Sequence, residues 1–196
     1  LPETDDTQNP YAVLLPAGFS AEHLGPNDYY YWDDFWGVAG LLAAANMLET
    51  DASDSLVNNL RSEAHGFSEV IRTSLAKSAE RQQRPGMPAA PARRLDSGSI
   101  GSLAAGYHLQ IFQPKDPRLL DTVEFLLQRS MFGGGFFQDV IHSGINPYLT
   151  LHMAQVLLRA GDTRALELFA NVAGLASPTG QWPEAIHPGT GGGCMG

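Results

Sequence analysis

Asp33-Asp34-Phe35-Trp36-Gly37-Val38-Ala39-Gly40-Leu41-Leu42-Ala43-Ala44-Ala45-Asn46-Met47-Leu48-Glu49 is the stretch that decides the fold. Phe35, Trp36, Val38, Ala39, Leu41, Leu42, Ala43 and Met47 make it apolar on most faces. A helix that is apolar all round belongs inside a larger helical assembly. Asp33 or Asp34 is placed to cap its start, and Gly37 and Gly40 leave room for a close neighbour.

Outward from this helix the same periodicity recurs. Leu56, Val57, Leu60, Ala64, Phe67, Ile71 and Leu75 repeat at helical spacing with charges between them, which predicts a long amphipathic helix over 53–82. Residues 83–94 are rich in Pro, Ala and Arg and read as a solvated linker. A third, small-residue-rich helix is expected over 97–112. Asp116-Pro117 is an N-cap and first-turn pair that opens a fourth helix to about Arg129. Helices five and six are expected over 147–160 and 163–176, joined at Gly161-Asp162. Gly133-Gly134-Gly135-Phe136-Phe137-Gln138-Asp139 reads as a loop or short strand. Residues 1–28 form an irregular lead-in broken by Pro2, Pro10, Pro16, Gly18, Gly25 and Pro26. The expectation is one all-α domain of antiparallel helical hairpins, with the long loops at 19–32, 130–146 and 177–196 gathered at one end.

Composition narrows the function. With 12 Lys+Arg against 21 Asp+Glu, the net charge of −9 leaves no basic stripe for nucleic acid. No run of about 18 apolar residues suggests a membrane span. The single cysteine, Cys194, excludes an intrachain disulfide and a multi-cysteine zinc site. No metal or cofactor is expected: Glu184 and His187 form one Glu-x-x-His, but prolines flank it and no second copy exists. The chain begins at Leu1 and stops in a glycine-rich run, and so reads as a piece of something longer. The compartment stays open, with a cytoplasmic setting slightly favoured over secretion.

Two aromatic-framed acids carry the chemistry. One is Asp28-Tyr29-Tyr30-Tyr31-Trp32-Asp33-Asp34-Phe35-Trp36, the other Gln181-Trp182-Pro183-Glu184-Ala185-Ile186-His187. Aromatic faces stack on the C–H face of a sugar, and carboxylates bind its hydroxyls or move protons. Glycoside hydrolysis needs two such carboxyl groups on opposite sides of the scissile bond. The candidates are Glu184 as general base and Asp33 or Asp34 as acid. Each acid could instead cap a helix. Trp32, Tyr31, Trp182, Asp28, Gln138, His142 and His187 are candidate sugar contacts, with Asp139 and Asn146 nearby in sequence. Trp36, inside the apolar helix, reads as core.

Three stretches resemble the six-hairpin glycosidases, which form (α/α)6 toroids. Asp96-Ser97-Gly98-Ser99-Ile100-Gly101, Asp116-Pro117-Arg118 and Thr122-Val123-Glu124 are similar to a helix pair of bacterial glucoamylase-like proteins. Arg159-Ala160-Gly161-Asp162 followed by Ala165-Leu166-Glu167-Leu168-Phe169 resembles the next pair. Gly180-Gln181-Trp182-Pro183-Glu184 falls where those enzymes carry the glutamate that serves as base. Tyr30-Tyr31-Trp32-Asp33 resembles a trehalase signature. The resemblance implies part of a toroid, an α-glucoside or related oligosaccharide as substrate, and inversion at the anomeric carbon. The chain departs from the family where Ala185 replaces a glutamine and where the acid's usual Trp-Glu is absent. A full toroid has twelve helices and about six are expected here, so an open side could self-associate and the piece alone could be inactive. The other reading is a non-catalytic module that binds carbohydrate or a protein partner.

Overall fold

The computed structural model describes residues 11, 13–20, 25–50, 53–139 and 143–195. Five α-helices run over Tyr31–Leu48 (α1), Asp54–Gln82 (α2), Pro117–Arg129 (α3), Pro147–Ala160 (α4) and Arg164–Gly174 (α5). A 3₁₀ helix spans Ser97–Ala105. Five short strands pair antiparallel in chain order: Met131–Phe132 (β1), Gly135–Asp139 (β2), Ser143–Ile145 (β3), Ala185–Ile186 (β4) and Gly193–Met195 (β5).

The helices form two rows. α1 packs on α2, the 3₁₀ helix on α3, and α4 on α5, while α1 and α4 also contact the 3₁₀ helix. An inner row of α1, the 3₁₀ helix and α4 is thus backed by α2, α3 and α5. Short connections make α1–α2 and α4–α5 antiparallel hairpins. Tyr31, Phe35, Leu103, Phe112, Leu119, Leu126, Phe136 and Met153 fill the core between the rows.

Helix ends follow local chemistry. Asp116 accepts from Arg118 N at 2.9 Å, with Pro117 at the first helical position. Asn146 accepts from Leu149 N at 2.9 Å to open α4, and Gly161 closes it in the left-handed region at φ 78°. Asp116→Ala should lower stability by about 1–2 kcal/mol in urea unfolding, because it removes a cap and the Arg118 ion pair together.

Four expectations are corrected. The fold is largely helical but not all-α, because 131–139, 143–145, 185–186 and 193–195 make a small sheet. Gly133 and Gly134, at φ 56° and 84°, supply the tight β1–β2 turn that non-glycine residues resist. The helix expected over 97–112 is a 3₁₀ helix that stops at Ala105. All nine of its residues are buried.

The third correction is the segment 83–94. It is not a solvated linker, because Met87, Ala89 and Ala90 are fully buried. Prolines 85, 88 and 91 remove backbone donors, and neighbouring side chains take up the remaining polar groups. Ser102 donates to Pro88 O (2.7 Å), Ser78 to Pro91 O (2.9 Å), and Met87 N donates to Thr122 Oγ1 (2.8 Å). Arg84 and Gly86 N both bond the Asp121 carboxylate.

The fourth is α1, which is not buried all round. Trp36, Gly40, Ala43 and Met47 lie along one exposed stripe, with Met47 80% exposed. The sequence calls for cover on a face that the outer row does not reach.

Candidate functional site

α1 starts at Tyr31, two residues earlier than expected, so neither aspartate is the N-cap. Tyr30 holds that position, and its carbonyl accepts from Asp33 N and Asp34 N. The two acids then diverge. Asp34 points inward at 1% exposure, and its Oδ1 accepts from Leu15 N at 2.9 Å. Its Oδ2 is buried without a hydrogen-bond partner among the described residues. Burial pushes its pKa up to about 7; the Leu15 bond pulls it down and the Asp33 charge adds to the rise. Asp33 is half-buried, and burial raises its pKa. Asp34 is therefore sealed from any substrate, which removes it as a catalytic candidate; Asp33 keeps access to solvent.

Tyr31 is also lost as a sugar contact. It is fully buried, with its hydroxyl 2.8 Å from Ser74 Oγ and 3.3 Å from Ser78 Oγ, and burial pushes its pKa to about 12. Trp32 is 6% exposed and belongs mostly to the core. Asp28 pairs its backbone with Gly18, and its Oδ1 accepts from Tyr29 N. Gln138 is buried and accepts from Asn146 Nδ2 at 3.1 Å, so it supports the α4 cap. His142 lies outside the described residues.

Around the second acid, Trp182 donates through Nε1 to Val172 O at 2.7 Å, which pins the ring against α5 while leaving it 47% exposed. Glu184 is exposed and has no hydrogen bond or ion pair among the described residues. Ser177, Gln181, Trp182, Pro183 and Glu184 line an open groove of about 530 Å³. His187 Nδ1 accepts from Gly189 N and Thr190 N, both at 3.1 Å, so this ring organises the turn before β5. Asp139 is exposed and accepts a hydrogen bond from Ser97 Oγ.

α1 and the second acid segment meet the α4–α5 hairpin toward the same end. Trp32 lies edge-on to His152, in the second turn of α4, with ring centroids 6.4 Å apart. Trp182 touches α5 near its C-terminus, and antiparallel packing sets that beside the start of α4. The Glu184 groove, however, takes no residue from α1.

A second feature was only partly legible. Trp36 is 44% exposed, not core, and begins a row of rings across the inner elements. His108 lies 6.3 Å from Trp36, 6.2 Å from Tyr148 and 5.0 Å from His152 between centroids. Its plane is within 10° of Tyr148, whose hydroxyl is 3.4 Å from His108 Nε2. His152 is buried, with Nε2 bonded to Tyr107 O. Burial drives its pKa down to about 4, against the pull of the Tyr107 carbonyl; burial also lowers that of His108. Both imidazoles are neutral near pH 7. Tyr148 and His152 sit four apart on α4 and so share a face, a signal present in the sequence. His108 lies in an irregular stretch that gives none.

Among the described residues, no helix is long and apolar enough to cross a membrane, and no three metal-ligating side chains gather. Comparison with protein-family models, curated proteins and solved structures found no match.

Proposed function

We propose that the chain is part of a helical-hairpin glycosidase domain of the (α/α)6 kind, acting on an α-glucoside or related oligosaccharide. Asp33 is the general acid in this reading and Glu184 the general base. The observation that carries it is the contrast between the settings of the two carboxyl groups: Asp33 is half-buried, which raises its pKa, while Glu184 stands exposed beside a pinned tryptophan. A raised pKa suits the group that protonates the glycosidic oxygen, and solvent access suits the group that meets the attacking water. The two-row arrangement of hairpins and the uncovered stripe of α1 agree with a partial toroid, whose open side would take further hairpins or a second copy.

The mechanism proceeds by single displacement. Asp33 gives its proton to the leaving oxygen as the C–O bond breaks. Glu184 removes a proton from the water that forms the new bond on the opposite face. The carboxyl groups must stand roughly 6.5–9.5 Å apart when substrate is bound, to admit that water.

One observation favours the second reading, a carbohydrate-binding module without turnover: the groove at Glu184 draws no lining from α1. Glucose release from maltotriose and from aryl α-glucosides separates the two. The glycosidase reading expects release by the wild type and its loss in Asp33→Asn. Saturable sugar binding without any release leaves the binding module.

A further inference from the structure

Resting on that carbohydrate reading, we infer that Trp36, His108 and Tyr148 form a second sugar subsite, a platform for the pyranose rings of an α-glucan. It lies on the inner row and shares no lining residue with the groove of Ser177, Gln181, Trp182, Pro183 and Glu184.

Each side chain contributes something a sugar uses. Trp36 and Tyr148 are large rings at 44% and 43% exposure, on different inner elements, α1 and α4. Aromatic surface so placed offers faces for C–H stacking. His108 bridges them, tilted 35° to Trp36 and nearly parallel to Tyr148. Its Nε2 and the Tyr148 hydroxyl stand 3.4 Å apart. A hydroxyl of a ligand can improve on so long a bond, accepting from one partner and donating to the other.

The row is braced from below. His152 stacks on His108 at 5.0 Å and is fixed by the Tyr107 carbonyl, while Trp32 packs at 5.8 Å against Trp36. The rings are thus largely pre-positioned, which cuts the ordering cost of binding. Asp33, one helical turn before Trp36, adds a hydroxyl acceptor beside the platform. The row itself holds aromatic and neutral polar groups, a composition that fits an uncharged polyhydroxylated chain better than an anion or a purely apolar partner.

The test is titration of the 196-residue chain with maltotetraose, followed by calorimetry and tryptophan fluorescence. The wild type should bind saturably. Trp36→Ala and Tyr148→Ala should each weaken binding at least about tenfold, a loss matching a stacked ring in a braced site. Phe169→Ala, which removes a still more exposed ring from α5, should change affinity less than about twofold. His108→Ala should weaken binding, and His108→Gln, which keeps a donor and acceptor, should recover part of the loss. Circular dichroism on each variant verifies folding. Absence of maltotetraose binding, or Trp36→Ala and Tyr148→Ala variants that bind within about twofold of wild type, overturns the platform. So does a concentration-dependent dimer abolished by Trp36→Ala and insensitive to maltotetraose, which makes the face a self-association surface. Hydrolysis that survives loss of the platform leaves the glycosidase reading intact; platform binding without hydrolysis leaves the subsite intact and removes the glycosidase.

Discussion

Glu184→Gln should reduce kcat on an α-glucoside by roughly 10²–10⁴-fold while sugar affinity stays within a few-fold, the range expected when a general base is removed. The amide keeps the shape of the side chain and part of its hydrogen bonding but takes no proton from water. Glu184 is exposed and unpaired among the described residues, so the change leaves packing alone, and unfolding midpoints of the two proteins should agree. A loss confined to kcat marks an interaction made in the transition state. Near wild-type turnover by the folded variant would take Glu184 out of the mechanism.

Asp34→Asn and His152→Gln should tilt the stability–pH profile in opposite directions, each by several kcal/mol. Asp34 has a folded pKa of about 7 against 3.8 for the free group. The folded state therefore holds a proton that the unfolded state has lost, and this group's contribution falls as pH rises from about 4 to 7. The full effect is on the order of 4 kcal/mol. His152 works the other way. Its folded pKa of about 4 lies below the ordinary 6.5, so the unfolded state binds the extra proton and stability rises with pH over about 4 to 6.5. That effect is on the order of 3 kcal/mol.

Wild-type stability should accordingly change little from this pair between pH 4.5 and 6.5, because the two slopes cancel. Asp34→Asn should become more stable with rising pH in that window, and His152→Gln less. Differences between variants remove the shared contributions of Asp116, Glu124 and Asp162, whose lowered pKa values act at more acid pH. Urea unfolding at intervals of half a pH unit gives both slopes. Parallel profiles for the three proteins would show that neither group is held as its burial requires.

Much of the helical frame was legible because its signals are local. The apolar spacing of 53–82, the Asp116-Pro117 start, and the Asn146-Pro147 to Gly161 span each declare themselves within a few residues, and α2, α3 and α4 follow them closely. The 83–94 segment defeated a compositional reading because what buries it is distant in sequence: Thr122, Asp121, Ser102 and Ser78 satisfy its polar groups. Of the small sheet only the loop or short strand expected over 133–139 was legible, where β2 lies; β4 and β5 are two and three residues long, too short for alternation to show.

The site divides in the same way. Chemistry near an aromatic could be read at Trp182-Pro183-Glu184 without coordinates. Asp33 and Asp34 are adjacent in sequence and equivalent in composition, and only the helical rotation between them sends one to solvent and the other under Leu15. Tyr31 and Gln138 carry groups a sugar would use, but Ser74, Ser78 and Asn146 already occupy them. The row through His108 joins elements 40 and 72 residues apart, and no local pattern announces a contact of that kind.

The most direct test of the glycosidase reading is proton NMR of the first glucose released from maltotriose, recorded before mutarotation. Single displacement by an acid and a base with water between them predicts β-glucose from the α-linked substrate. Release of α-glucose, or no release at all, would contradict it.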